Sequence, residues 1–145
     1  MFHPAHKKSL GFTLIELMVV VSIIGVLMAA GILAFSNAQQ NARDAKRRAD
    51  VDAIGKALEQ YYSDSSQYPT TATDIDSYFP AGDTPVDPQG AAYDIKLSSG
   101  GDAYCVCAEL EKVDRGNATA VGNVSGVCSY GTGSGADFFC TSQRQ

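Results

Sequence analysis

The chain has 145 residues, a formal net charge of -5 and 45% hydrophobic residues, which exclude wholesale disorder and allow one modest domain with an appended segment. The acidic balance argues against a general nucleic-acid-binding protein, which needs a net positive surface for phosphate groups. Both histidines, His3 and His6, precede Lys7, so the rest of the chain has no histidine base or Cys/His zinc site. No catalytic constellation is present in the sequence, and we predict that the protein is not an enzyme.

Residues 12–35 form an apolar run in which Glu16 is the only charged residue. The uncharged part, residues 17–35, would span about 28 Å as a helix, close to the ~30 Å hydrocarbon core of a bilayer. Because the run is apolar on every side, we predict a membrane-spanning helix rather than an amphipathic surface helix. The alternatives are a buried core helix and a secretory signal peptide cleaved near Ala30, which the length of the run and its internal carboxylate disfavour.

A short basic leader precedes this run, and the two are joined by the motif GFTLIE, which begins with Gly11 and Phe12. This arrangement resembles the processing site of type IV prepilins and type II secretion pseudopilins. The resemblance implies that a prepilin peptidase cuts between Gly11 and Phe12, and that Phe12 is then N-methylated. It also implies a single-pass anchor in the inner (cytoplasmic) membrane with a cytoplasmic N-terminus, which later forms the core of a cell-surface or periplasmic filament.

Glu16 is the fifth residue of the expected mature chain. A carboxylate inside a membrane span is costly unless it is paired. The resemblance implies that Glu16 meets the terminal amine of Phe12, in its own or a neighbouring subunit, during assembly. The alternative is a carboxylate that snorkels to the membrane surface. The implied partners are copies of the chain, other pilin-like subunits, the prepilin peptidase/methylase, a membrane assembly platform and the lipid bilayer, but not nucleic acid.

The polar segment after the apolar run contains nothing that breaks a helix, and Val51, Ile54 and Leu58 then recur at helical spacing. We therefore predict one long helix over residues 12–63, whose second half packs on a head. The segment carries a basic cluster, for which we expect contact with lipid headgroups, contact with acidic neighbours in a filament, or a solvated helix face. Its members are Arg43, Lys46, Arg47 and Arg48.

The head is expected to form a small antiparallel sheet. A helical turn is predicted at residues 74–79, followed by a loop in which Asp87 and Pro88 resemble a loop of major pseudopilin heads. Alternating apolar residues predict strands at 93–97 and 104–110, with one more short strand near 127–130.

The predicted fold class is α+β and pilin-like, with a long N-terminal helical spine, transmembrane in its first half, packed on this sheet. We divide the chain into a leader (1–11), an apolar helix with its polar extension (12–48) and an extracytoplasmic head (49–145).

All four cysteines lie in the head, and an even number outside the cytoplasm is typical of disulfides. Cys105 and Cys107 share one strand face, so we expect each to bond to the C-terminal segment. The preferred pairing is Cys107–Cys128 with Cys105–Cys140, and a Cys128–Cys140 bridge stays open. A four-cysteine zinc site is disfavoured because no Cys-x-x-Cys pair is present.

Calcium is the one metal for which the sequence offers a candidate ligand, because related pseudopilin heads use carboxylates of C-terminal loops. Asp137 lies in such a loop, with Asp114 and Asp102 as further candidates. Calcium takes six to eight oxygens, and a regular calcium loop is absent, so solvated aspartates without a cofactor are the favoured interpretation.

The sequence therefore predicts a structural subunit, either of a type IV pilus or of a type II secretion pseudopilus. The alternative from a different class is a monomeric, membrane-anchored, extracytoplasmic binding domain. Glu16 separates the two, because only assembly requires it.

Overall fold

The structure, a computed structural model, describes residues 11–124 and 128–143, the side chain of Leu33 excepted. The leader before Gly11 and the first residue of the strand expected near 127–130 lie outside the described residues. Helix α1 (Leu14–Ser65) is followed by a short 3-10 helix (Ala72–Tyr78) and then by five strands. The strands are β1 (Asp94–Leu97), β2 (Tyr104–Glu109), β3 (Asn123–Val124), β4 (Cys128–Ser129) and β5 (Phe138–Ser142).

The chain divides into two compact units, the first of which ends at Ala38. This first unit contains the apolar part of α1, whose described side chains are exposed, for example Leu14 at 82% and Val26 at 72%. Helix α1 is long and apolar enough to cross a membrane. An apolar helix without protein around it requires another apolar environment, since exposed apolar surface costs free energy in water.

The second unit, Gln39–Gln145, contains the rest of α1 and both sheets. Strands β1, β2 and β5 form an antiparallel sheet in that order, with β2 in the centre, and β3 pairs with β4 in a two-stranded ribbon. The register of the first pair sets Ile95 opposite Val106. The register of the second sets Cys107 opposite Cys140.

The core of this unit lies between α1 and one face of the sheet. Val51, Ile54 and Leu58 are fully buried and pack with Tyr104 and Val106 of β2. Their spacing of three and four residues places them on one side of the helix, as expected from the sequence. The long helix on a small antiparallel sheet confirms the predicted α+β fold.

The face of β2 that points away from α1 is also covered by protein. All residues of β2 except Glu109 are buried, including Cys105 and Cys107, which point away from α1. The C-terminal segment covers this face, because β5 pairs with β2 and a second small cluster forms around Cys107, Ala118 and Cys140. Strand β5 was not expected, since its segment lies in a glycine-rich stretch.

Candidate processing and assembly site

The expected cleavage position lies in the non-helical chain just before α1. Gly11 is exposed, and a Cβ atom placed there would meet no atom within 4 Å. Phe12 follows with 87% of its surface exposed. The peptide bond between them therefore stands clear of the described protein, which is the geometry that a peptidase needs.

Thr13 stands immediately before the first residue of α1. Its hydroxyl oxygen accepts a hydrogen bond from the backbone N–H of Glu16 at 3.3 Å, and its carbonyl oxygen accepts one from the N–H of Leu17. A threonine whose side chain binds the N–H three residues on is a helix N-cap. The pattern Thr-x-x-Glu before an apolar run is the sequence signal from which this cap could have been predicted.

Glu16 lies in the first turn of α1, among exposed apolar neighbours such as Ile15 and Leu17. Its carboxylate makes no hydrogen bond or ion pair with any residue that the structure describes. A first-turn acid is stabilised by the helix dipole, typically by less than about 1 kcal/mol, which does not offset burial of a charge in an apolar environment. In an apolar environment, pairing with a cation would offset much of the cost of this charge.

The head contains a network of charged side chains centred on Arg47, which is only 4% exposed. Its guanidinium donates to both carboxylate oxygens of Asp87, to Asp44 at 2.8 Å and to Glu111 at 3.0 Å. Arg43 forms a bidentate ion pair with Glu111, in which Nε and Nη2 each donate to one carboxylate oxygen at 2.6 Å. The network therefore binds α1 to two loops of the head, one before β1 and one after β2 in the chain.

Asp44 completes this network from the helix side. Its carboxylate also accepts the backbone N–H groups of Glu111 (2.8 Å) and Lys112 (3.0 Å), which binds the start of the following loop. Hydrogen bonds from Arg43 lower the pKa of Glu111 to about 2, and those from Arg47 lower the pKa of Asp87. Both carboxylates are held in their charged form by their arginine partners.

The basic cluster is thus not simply a solvated helix face, because three of its members bind groups of their own head. Arg43 and Arg47 bind carboxylates of their own head, and Arg48 donates to the carbonyl of Arg115 and lies over the ring of Phe139. Among the four, Lys46 is exposed. These contacts arise because the fold brings Asp87 and Glu111, which are distant in sequence, next to this part of α1.

The network predicts a loss of head stability in acid. Because folding lowers the pKa of Glu111 and of Asp87, these groups contribute stability above their unfolded pKa values, near 4 to 4.5. We expect the free energy of unfolding to be level from neutral pH to about pH 5 and to fall as the pH drops towards 2. Glu111→Gln should flatten this dependence, whereas Glu109→Gln, at an exposed neighbouring position, should leave it unchanged in denaturant titrations at each pH.

The structure pairs Cys105 with Cys128 and Cys107 with Cys140, with Cα–Cα distances of 5.3 and 4.1 Å. The preferred pairing in the sequence analysis was therefore wrong, and so was the Cys128–Cys140 alternative. The cause is the unexpected strand β5, which sets Cys140 directly opposite Cys107. All four sulfurs are used, so the four-cysteine zinc site is not formed.

Single substitutions test this pairing. Cys105→Ala should leave a thiol at Cys128, and Cys107→Ala should leave one at Cys140, because each variant releases only the partner of the missing sulfur. Alkylation followed by chymotryptic peptide mapping separates the two positions, since Tyr130 lies between them. Each variant should also lose about 2–5 kcal/mol of stability. Label on Cys140 in the Cys105→Ala variant would restore the rejected pairing.

The calcium candidates do not converge on one site. Asp137 accepts the backbone N–H of Asp114 at 3.0 Å, and Asp114 accepts that of Gly135, so both carboxylates brace loop backbone. Asp102 instead accepts the hydroxyl of Ser98 in the turn between β1 and β2. Within residues 11–124 and 128–143, no group of three or more acidic, cysteine or histidine side chains is placed to hold a metal.

The N-terminal region matches a family model, and most of the chain is similar to a known protein. Residues 6–32 match the family model described as the prokaryotic N-terminal methylation motif. The chain is 30% identical over 137 residues to the type II secretion system core protein G of Pseudomonas aeruginosa, an alignment that covers 81% of this chain and 96% of that protein. No solved structure matches the chain with significance.

Other relatives match over a shorter region. The core protein G of Escherichia coli (strain K12) is 38% identical over 73 residues, half of each chain. The type IV major pilin protein PilA of Myxococcus xanthus is 35% identical over 74 residues, 51% of this chain and 32% of that protein. The chain spans about half the length of the Escherichia coli protein. The chain does, however, align with nearly all of the Pseudomonas protein, and its N-terminal region matches the methylation motif. The chain therefore belongs to the type IV pilin and type II secretion pseudopilin family.

Proposed function

We propose that the chain is a structural subunit of a type IV pilus-like or type II secretion pseudopilus filament. In this proposal the chain is processed after Gly11, methylated on Phe12 and polymerised through α1. The observation that carries it is the carboxylate of Glu16, which has no partner within residues 11–124 and 128–143 and lies at the start of an exposed apolar helix. In an apolar environment such a carboxylate could form an ion pair with the terminal amine of a subunit, which would offset the cost of burying both charges.

The partners follow from this role. Copies of the chain and other pilin-like subunits would pack α1 against α1, and the prepilin peptidase/methylase would act on the exposed bond between Gly11 and Phe12. Before assembly, α1 would cross the inner membrane with the head on the far side from the cytoplasm. No enzymatic role is proposed, since the family is structural.

Between the two kinds of filament, a secretion pseudopilus is favoured. The relative that the chain covers almost completely is named a secretion core protein, whereas PilA is covered over a third of its length. The ion pair of Asp87 with Arg47 fastens the loop that resembles a loop of major pseudopilin heads. Asp87 therefore holds this loop against α1.

Mass spectrometry of the mature protein tests the proposal. The expected chain begins at Phe12 and carries one extra methyl group on its amine. Gly11→Val should block this cleavage by placing a branched side chain at the cut, whereas Gly25→Val, inside the apolar helix, should still be processed. Cleavage near Ala30, or a chain that keeps Met1, would overturn the proposal in favour of a secreted or simply anchored domain.

A further inference from the structure

The head carries a second group of cations beside the Arg47 network. Arg48 lies at its base, with its guanidinium over the ring of Phe139 at 5.6 Å from the ring centre. One of its terminal nitrogens donates to the carbonyl of Arg115. Its Nε–H is buried and has no hydrogen-bond partner among the residues that the structure describes. A buried donor without an acceptor costs about 1–3 kcal/mol unless a bound group supplies one.

These side chains surround a pocket of about 340 Å³. Its lining residues are Asn41, Asp44, Ala45, Arg48, Lys112 and Arg115. The one acid among them, Asp44, already binds Arg47 and two backbone N–H groups, so its charge is compensated within the head. The lining therefore contains three cationic side chains, Arg48, Lys112 and Arg115, and one carboxylate.

We propose that this basic pocket binds a phosphate group, and that its source is the headgroup of an anionic phospholipid. Arginine is suited to phosphate because its planar guanidinium donates two parallel hydrogen bonds, and Arg115 is exposed and available for such contact. Asn41 comes only six positions after Phe35, the end of the apolar run. The sequence thus places the pocket close to the end of a membrane-spanning segment, where lipid phosphates lie.

The choice of lipid as the source rests on the proposed membrane anchoring, whereas the pocket itself does not. The Nε–H of Arg48 supplies a local probe, because Arg48 lines the pocket and its resonance in a ¹⁵N-labelled chain reports on its immediate surroundings. Arg48→Lys would assign the resonance by deleting it. The full chain in dodecylmaltoside micelles would be titrated with dihexanoyl phosphatidylglycerol, with dihexanoyl phosphatidylcholine and with inorganic phosphate.

We expect phosphatidylglycerol to shift this resonance saturably, and phosphatidylcholine and inorganic phosphate to require much higher concentrations. Arg115→Gln should weaken phosphatidylglycerol binding roughly fivefold, the factor expected for one cation near an anionic lipid. Lys56→Gln, which removes an exposed cation elsewhere on α1, should leave it unchanged.

Equal binding of inorganic phosphate would overturn the lipid source, and no shift with any probe would overturn the site. Equal weakening by Lys56→Gln and Arg115→Gln would also overturn it, since attraction would then be diffuse. The titration needs no filament, so failure of the chain to assemble leaves its outcome unaffected. Conversely, if the chain is processed and assembles normally but no probe shifts the Arg48 resonance, the pocket proposal is refuted and the proposed filament function is not.

Discussion

Glu16→Ala is expected to abolish filament formation while leaving the chain in the membrane. Removing one partner of a buried ion pair typically costs about 3–5 kcal/mol, which lowers the equilibrium constant of each subunit addition by more than about a hundredfold. Membrane insertion should be retained or improved, because alanine removes the one charge from the apolar run. Sheared filaments and the membrane fraction, compared by immunoblot, give the two quantities.

The structure offers a competing explanation for such a loss, because Glu16 also occupies the first turn of α1. There its charge interacts with the helix dipole, an effect of about 0.3–1 kcal/mol. Thr13→Val removes the capping hydroxyl at a similar cost, typically about 1 kcal/mol, without touching the carboxylate. Thr13→Val should therefore assemble with a modest reduction, whereas Glu16→Gln should fail as Glu16→Ala does. Normal filaments from Glu16→Gln would refute the ion-pair role.

Helix α1 and the first hairpin of the head were predictable because each depends on local periodicity. Val51, Ile54 and Leu58 repeat at helical spacing, and they are buried as that spacing predicts. The alternating residues of β1 and β2 likewise predicted two paired strands. Local pattern is sufficient where one face of an element meets one core.

The sequence did not reveal β5 or the disulfide connectivity, because both depend on which distant segment covers the far face of β2. Phe138–Ser142 lies beyond a glycine-rich loop and shows no long alternation. Its place beside β2 decides that Cys107 faces Cys140. Register between segments so far apart is set by tertiary packing rather than by local propensity.

The charged network was hidden for a different reason. Arg47 and Asp44 stand four and seven residues before Val51, which continues the buried side of α1 towards the N-terminus. The helical period therefore places both residues on the core face, but charged residues there are ordinarily taken to mark the end of the buried stripe. Asp87 and Glu111, which compensate the arginines, could not be assigned to this site from the sequence.

Arg47→Met is expected to destabilise the head by about 3–5 kcal/mol, because it removes the buried cation that Asp44, Asp87 and Glu111 share. Methionine retains much of the apolar stem of arginine, so the loss reports charge and hydrogen bonding more than volume. Asp44 would keep two backbone N–H donors, and Glu111 would keep Arg43. Asp87 would be left with the backbone N–H of Gln89 in place of the guanidinium. Lys56→Met, at an exposed site on α1, should change stability by less than about 0.5 kcal/mol.

A double-mutant cycle separates the ion pair from the penalty of isolating its partner. Asp87→Asn removes one charge from Arg47, and the double variant Arg47→Met with Asp87→Asn removes both sides of the contact. If the isolated charge causes most of the loss, the double variant should be more stable than the sum of the single losses predicts. Unfolding of the full chain in detergent can be followed by tyrosine near-ultraviolet circular dichroism, since the chain has seven tyrosines and no tryptophan. Additive losses would mean that Arg47 and Asp87 stabilise the head independently, and that this contact does not fasten α1 to its loop.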